Sequence, residues 1–118
     1  MENSQALLIL TNLPDEAAAQ ALAAALVTER LAACVNVLAP CRSVYRWQGK
    51  VEHAQEVPLL IKTTAARYKA LEAAIRARHP YELPEIIAVP IAHGLPEYLN
   101  WVAAETFVEP ADGNSPPC

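Results

Sequence analysis

The 118-residue chain has little glycine, and what it has is scattered. Three isolated glycines cannot form the glycine-rich loop that cradles a phosphate, and no G-x-S-x-G nucleophile elbow or paired-carboxylate motif occurs. Cysteine is equally sparse, because three residues without a Cys-x-x-Cys pair predict neither a disulfide framework nor a zinc site. These absences leave no motif for nucleotide binding, serine hydrolysis or structural zinc.

Positive charge and long apolar runs are scarce as well. Nine Lys and Arg residues against thirteen Asp and Glu give a net charge of -4, and the basic residues are dispersed. Nucleic-acid binding depends on clustered basic residues, so no nucleic-acid partner is expected. No run approaches the roughly 18 apolar residues of a membrane span, and Met1-Glu2-Asn3 lacks the positive start of a secretory signal. We therefore expect a cytoplasmic protein without a membrane partner.

What is present is the composition of one folded domain, with 53% apolar and 19% charged residues. Residues 1–108 are predicted to form that domain. Residues 109–118 contain Pro110, Gly113, Pro116 and Pro117 among polar neighbours, which predicts a disordered C-terminal tail.

The most informative stretch is residues 41–63, which reads as two extended arms joined at Gln48-Gly49. If the arms extend to Val35 and Thr63, each holds about 13 residues and spans roughly 43 Å at about 3.3 Å per residue. A domain of this size has a radius of gyration near 13 Å, so the ribbon must overhang it. Unpaired strand edges can form hydrogen bonds with a strand of another chain, and the hairpin is therefore predicted to be an assembly device. Pro40 predicts a bulge or bend in the first arm, and Pro58 raises the same possibility in the second.

The remaining pattern predicts an α+β, ferredoxin-like β-α-β-β-α-β sandwich with an extra C-terminal helix. Thr63 or Thr64 is expected to cap the second helix. Two helices would cover one face of the antiparallel sheet, and copies of the same chain would cover the other. Outside the hairpin, the expected strands are residues 6–10, 34–38 and 86–89, and the expected helices are 17–33, 65–78 and 95–106.

Several side chains could carry chemistry. His79, Tyr81 and Glu85 share a short rigid connector, and Lys62 ends a strand at which that connector could arrive. A histidine and a carboxylate can bind a metal or exchange protons, and a lysine can hold an anion. The structural alternative is that His79 and Glu85 satisfy backbone groups while Lys62 forms an ion pair.

Two aromatic residues of the hairpin form a second candidate group. Tyr45 and Trp47 lie on one face of the ribbon, where exposed aromatic rings would be costly unless covered. Anchoring a subunit interface is the preferred role, and a ligand platform is the alternative.

Five separated motifs resemble the CutA divalent-cation-tolerance family, over about residues 7–105. They are AACVN at 32–36, SVYRWQGKVE at 43–52, IKT at 61–63, HPY at 79–81 followed by PE at 84–85, and YLNW at 98–101. The resemblance implies a very stable homotrimer of ferredoxin-like subunits, similar to the trimeric PII-like nitrogen-regulatory proteins, in which each hairpin pairs with a neighbour's sheet. It also implies tolerance of copper and other divalent metals, with copper binding attributed to the family.

The metal expectation has its own candidates. Some family members carry a cysteine in the segment matching residues 10–13, where this chain has Thr11, so a copper site built on that thiol is in doubt. Cys34, His79 and Glu85 are the candidate ligands for a divalent cation such as Cu²⁺.

Three hypotheses follow, in order of preference. The first is a non-enzymatic, trimeric binding or signalling protein for metal tolerance, with a metal ion or small ligand in intersubunit clefts. Those clefts would be lined by Lys62, His79, Tyr81, Glu85 and a neighbour's aromatic residues, Tyr45 and Trp47. The second is a structural scaffold. The third is an enzyme acting on a small anionic substrate, with His79 or Glu85 carrying the proton and Lys62 holding the anion.

Overall fold

The computed structural model describes residues 4–109, so the predicted tail lies outside them apart from residue 109. Its elements are β1 (Ala6–Leu13), α1 (Glu16–Thr28), β2 (Cys34–Val37), β3 (Cys41–Trp47), β4 (Lys50–Thr64), α2 (Tyr68–Arg78), β5 (Ile87–Pro90) and α3 (Pro96–Thr106), with a 3-10 turn (Ala65–Arg67) before α2. The five strands form an antiparallel arrangement in the order β2-β4-β1-β5, and β3 pairs only with β4. This is the predicted ferredoxin-like order with a closing helix, so the fold class is confirmed.

The core lies between the sheet and the two helices α1 and α2. Alternate residues of β1 and β4 point into it, and Ile9 and Ile61 face each other there with no exposed surface. Leu26 of α1 and Leu71 and Ile75 of α2 complete the layer and are also fully buried. Burying each of these side chains contributes about 1.5–3 kcal/mol relative to exposure, which makes this interface the main source of stability.

Helix α1 begins where predicted and ends earlier. The Asp15 carboxylate accepts a hydrogen bond from the Ala18 N–H at 2.8 Å, an N-cap that contributes about 1 kcal/mol. The predicted continuation to residue 33 is wrong. Arg30 adopts a left-handed φ of 60°, its N–H donates to the Val27 carbonyl, and the Leu31 N–H donates to the Leu26 carbonyl. This is the Schellman pattern that closes a helix, formed here without the usual glycine.

The threonine caps predicted for the second helix are wrong. The Thr63 hydroxyl donates instead to the Leu31 carbonyl at 2.7 Å, which ties β4 to the chain after α1. Thr64 precedes the 3-10 turn, but its side chain makes no capping hydrogen bond. The turn between β4 and α2 therefore depends on backbone geometry rather than on a side-chain cap.

The bulge predicted at Pro40 is present, whereas β4 runs through Pro58 without interruption. Val37 pairs with Leu59 and Cys41 pairs with Glu56, so residues 39 and 40 together stand opposite Val57. The Pro58 carbonyl accepts a hydrogen bond from the Leu38 N–H at 3.0 Å, so the carbonyl and nitrogen of Pro58 point toward the bulged strand. Its missing N–H therefore falls where the ladder is already broken, and β4 tolerates the proline.

The face of the sheet opposite α1 and α2 is only partly covered. Helix α3 packs against β4 and β1 and buries Val102 and Thr106. On β5, Ile87 and Val89 remain 49% and 44% exposed. Apolar residues therefore face outward on this side of the described chain.

The hairpin overhangs the domain as predicted. β1 pairs with β4 only as far as Val57, so the segment of β4 from residue 50 to residue 56 pairs with β3 alone. Within the described chain, both outer edges of this two-stranded ribbon lack a strand partner. The principal extents of 53 × 32 × 26 Å and the radius of gyration of 15.8 Å reflect the overhang. A compact chain of this length would have a radius of gyration of about 13.5 Å.

Candidate functional site

A cavity of about 460 Å³ lies at the base of the hairpin, where the ribbon leaves the sheet. Its volume falls within the range of small-molecule sites, roughly 300–1,000 Å³. The walls come from the end of β1, the ribbon and the connector that follows α2. The lining residues are Asn12, Ser43, Val44, Tyr45, Arg46, Trp47, Glu56, Leu83 and Glu85.

The register of the hairpin decides which side chains face this cavity. Tyr45 pairs with Glu52 and Cys41 pairs with Glu56, and directly opposed residues of an antiparallel pair share a face. Tyr45, Trp47 and Glu56 therefore lie on one face of the ribbon. Arg46, which pairs with Val51, starts its side chain on the other face by strand alternation and is also one of the lining residues.

His79 holds the connector against the end of β1. Its Nε2 lies 2.7 Å from the Asn12 carbonyl oxygen, and the Tyr81 N–H donates to its Nδ1 at 3.2 Å. A carbonyl can only accept and a backbone N–H can only donate, so Nε2 carries the proton. Both ring nitrogens are thereby used, and His79 is 9% exposed. The geometry therefore supports a structural role for His79, in which its ring satisfies backbone groups.

Tyr81 lies between His79 and the cavity wall. Its ring lies 4.8 Å from the His79 ring, and its hydroxyl is hydrogen-bonded to the Glu56 carboxylate, which is 9% exposed. Burial, followed by the hydrogen bond and the charge of Glu56, raises the pKa of Tyr81 to about 12. The phenol therefore stays protonated at neutral pH and donates to Glu56.

Glu85 is fixed by the last residues of β1. Its Oε1 accepts a hydrogen bond from Asn12 Nδ2 at 3.1 Å, and both residues line the cavity. Asn12 thus contacts the connector twice, through its side chain to Glu85 and through its carbonyl to His79. The structure brings four of the predicted residues, Tyr45, Trp47, Tyr81 and Glu85, to the cavity or directly behind its wall.

Lys62 does not join this group within the chain. It pairs with Leu8 and Cys34 near the opposite end of β4, and its ammonium group donates to Asn36 Oδ1. The physical reason is that α2 starts beside the end of β4 and carries the chain back by about 16 Å at 1.5 Å per residue. The connector therefore arrives at the Leu13–Val57 end of the sheet. The arrangement expected for an anionic substrate, Lys62 beside His79 or Glu85, is not formed in the described chain.

The three candidate metal ligands are not assembled either. Cys34 lies beside Tyr98 of α3, whereas Glu85 belongs to the hairpin cavity and His79 has no free ring nitrogen. Among residues 4–109, no group of three His, Cys, Asp or Glu residues is placed to hold a metal ion. Thr11 is 1% exposed and lies on the core side of β1. Residues 4–109 of one chain therefore do not assemble a Cu²⁺ site.

Six of the nine lining residues are not among the site residues that the sequence predicts: Asn12, Ser43, Val44, Arg46, Glu56 and Leu83. Glu56 could have been found from the hairpin register, because a two-residue turn at Gln48-Gly49 places residue 56 opposite residue 41 and on the face of Tyr45. Asn12 and Leu83 carry no such signal, because their positions depend on how the connector packs against the end of β1.

The family model for the CutA1 divalent ion tolerance protein matches residues 7–105. The divalent-cation tolerance protein CutA of Thermus thermophilus is 49% identical over 98 residues, covering 83% of this chain and 95% of that protein.

Solved structures agree with this match. The crystal structure of CutA from Xylella fastidiosa is 48% identical, covers 87% of this chain and 99% of its own, and superposes with a TM-score of 0.85. The periplasmic divalent cation tolerance protein CutA of Archaeoglobus fulgidus is 33% identical, covers 86% of this chain and 99% of its own, and has a TM-score of 0.84. Within residues 4–109, no helix is both long and apolar enough to cross a bilayer.

Proposed function

Because the chain belongs to the CutA1 divalent ion tolerance family, we propose that it contributes to divalent cation tolerance as a cytoplasmic homotrimer. In this proposal, the cavity at the base of the hairpin binds a small ligand, and the protein acts by binding or signalling rather than by catalysis. The observation that carries the proposal is the position of the cavity directly beneath a ribbon that its own domain does not cover.

The uncovered ribbon supports the assembly. Its two outer edges have no strand partner in the described chain, and Val44 and Val51 on its outward face are 60% and 58% exposed. Exposed edges and apolar side chains of this kind are stabilised when another copy pairs with them. The apolar residues Ile87 and Val89 on β5 offer a second surface for such contact. A closed ring of three copies would bring each ribbon to a neighbour's sheet.

The chemistry of the cavity supports ligand binding. It combines two carboxylates, Glu56 and Glu85, with the rings of Tyr45 and Trp47 on a rigid strand. Convergent polar groups in a cavity with aromatic walls are typical of small-molecule sites. Direct Cu²⁺ binding remains a proposal that requires donor groups from more than one copy, because residues 4–109 of one chain place no three suitable ligands together.

The cytoplasmic location is also part of the proposal. Cys34 and Cys41 are free thiols in the described chain, which is the usual state in a reducing compartment. The periplasmic relative from Archaeoglobus fulgidus provides the alternative. Cell fractionation with an antibody against the protein distinguishes the two, since recovery in the periplasmic fraction would contradict a cytoplasmic role.

A complementation experiment tests the function. Wild-type protein should restore growth on elevated copper to a strain lacking the gene, whereas the double variant Tyr45→Leu/Glu85→Gln should not, because it loses a wall and a carboxylate of the cavity. Glu97→Gln on α3 is the control, because it removes an acidic residue outside the cavity lining. Sedimentation should show the same assembly for all three proteins. Full restoration by the double variant would contradict a role for the cavity.

A further inference from the structure

We propose that the cavity at the base of the hairpin is selective for a small organic cation, with an ammonium or N-methylated ammonium group seated between the aromatic rings and the two carboxylates. The inference rests on the proposed ligand-binding role of this cavity and adds the chemical class of the ligand. Charge, aromatic geometry and donor chemistry support it separately.

The charges around the cavity favour a cation. Glu56 and Glu85 line it, and Glu52 lies opposite Tyr45 on the same face of the ribbon. Arg46 also lines the cavity, and strand alternation starts its side chain on the other face of the ribbon. Lys50, opposite Trp47 at the tip, shares the face of the ribbon but does not line the cavity. The lining therefore contains two carboxylates, Glu56 and Glu85, against one basic residue, Arg46, and an anionic ligand would meet a net negative charge.

The aromatic walls suit a cation with diffuse charge. Tyr45 and Trp47 alternate along β3 on the cavity face, and they keep 44% and 37% of their surface exposed. The quadrupole of such a ring attracts a cation placed over its face, and aromatic cages recognise N-methylated ammonium groups. Because both rings are carried by a paired strand, little ordering is needed before the ligand binds.

The carboxylates of Glu56 and Glu85 can also accept hydrogen bonds from a ligand. The Tyr81 hydroxyl and Asn12 Nδ2 each donate to one of them, Glu56 and Glu85 respectively, which fixes both beside the cavity. A carboxylate has about four acceptor positions, so each retains capacity for an N–H group of a ligand. The raised pKa of Tyr81 keeps its proton in place, so this donor does not become a competing negative charge.

A bare metal ion fits the same cavity poorly. The space of about 460 Å³ is that of an organic molecule, and no three metal-ligating side chains converge among residues 4–109. Divalent transition metals require several lone pairs at about 2 Å, and His79 offers none because its backbone partners occupy both ring nitrogens. An organic cation needs no such convergence, since aromatic faces and one or two carboxylates are sufficient.

A matched pair of probes tests the inference. Choline and 3,3-dimethylbutan-1-ol have the same shape, but only choline carries the positive charge. Calorimetric titration of the full-length protein in its native assembly should show choline binding at least about tenfold tighter than the neutral alcohol, a difference of 1.4 kcal/mol that cation–π and carboxylate contacts can supply.

Substitutions then locate the site. Trp47→Leu and Glu85→Gln should each weaken choline binding by about fivefold or more, whereas the controls Trp101→Leu and Glu97→Gln on α3 should leave it unchanged. Circular dichroism and sedimentation should show that every variant folds and assembles as the wild type does. Tyr45→Leu provides a second aromatic variant if Trp47→Leu does not assemble.

Several outcomes would overturn the proposal. Equal affinity for the two probes would show an apolar site, and tighter binding of acetate than of choline would show an anion site. No choline binding would contradict an organic-cation site and would mean that another copy's side chain fills the cavity or that its ligand belongs to a different class. Choline binding together with full copper tolerance of the cavity variants would retain the ligand class and reject the tolerance role.

Discussion

His79 shows how a side chain suited to acid–base chemistry can be fully occupied by structure. One ring nitrogen faces the Asn12 carbonyl and the other accepts from the Tyr81 N–H, so the imidazole bridges β1 and the connector. Each such hydrogen bond contributes about 0.5–1.5 kcal/mol to the free energy of unfolding, and leaving one of its buried partners unpaired would destabilise the protein by more than that. The sequence identifies the residue and its neighbourhood, but hydrogen-bond partners 67 positions apart cannot be predicted from local pattern.

Tyr81 makes a pH-dependent contribution to stability. Its pKa is raised to about 12 by burial and by Glu56, whereas an unfolded tyrosine titrates near 10. A raised folded pKa stabilises the native state below pH 10, and this contribution is lost as the pH rises through about 12. We expect Tyr81→Phe to flatten the alkaline loss of stability, measured as urea midpoints between neutral pH and about pH 11.

The ultraviolet titration of the same variant provides a direct check. Wild-type protein should contain a tyrosine with a midpoint of about 12 that is missing from Tyr81→Phe. Tyr68→Phe is the comparison variant: burial and Glu72 also raise the pKa of Tyr68, but its removal should leave the midpoint of about 12 in place. An unchanged alkaline slope in Tyr81→Phe would show that the bond to Glu56 does not contribute.

Thr11 carries a buried hydroxyl without a hydrogen-bond partner among the described residues. The side chain is 1% exposed on the core side of β1, where an unsatisfied polar atom costs about 1–3 kcal/mol. Thr11→Val removes the hydroxyl with almost no change in shape and should raise the free energy of unfolding by about 1 kcal/mol. Urea denaturation measures the change, and a loss of stability would indicate that the hydroxyl has a partner in the assembled protein.

At the scale of elements, the sequence predicts strands and the hairpin better than helix ends. Period-two alternation and the Gln48-Gly49 turn predict the ribbon, and Pro40 predicts the bulge or bend in its first arm. The end of α1 was missed because its closing residue is Arg30 rather than glycine, so no local signal marks it. The misplacement of Lys62 has a different cause, since it depends on the direction in which α2 returns the chain.

The hairpin turn requires positive φ angles, which are unfavourable for most residues other than glycine. Gln48 and Gly49 have φ values of 51° and 81°, and a Cβ on Gly49 would meet no atom within 4 Å. Gly49→Ala should therefore destabilise the protein by conformational strain alone, by about 1–2 kcal/mol in urea denaturation.

The neighbouring position provides the control for this prediction. Gln48→Asn should be neutral or slightly stabilising, because asparagine tolerates a positive φ and Asn-Gly is the preferred pair in such turns. If Gly49→Ala proved harmless while Gln48→Asn destabilised, the turn conformation described here would be contradicted.

At the scale of the whole molecule, the described chain leaves its largest hairpin without a partner. The ribbon has two free edges, its Val44 and Val51 are exposed, and the cavity opens at its base. A domain of this size gains little by extending such a ribbon into water. Pairing with other copies would bury the ribbon and enclose the cavity, which links the proposed assembly to the proposed site.

Sedimentation equilibrium of the wild-type protein at micromolar concentration tests this account most directly. The account predicts one species with three times the 12.8-kDa mass of the chain, and no folded monomer on dilution. A compact, fully folded monomer at that concentration would contradict it, because the hairpin would then be stable without a neighbour.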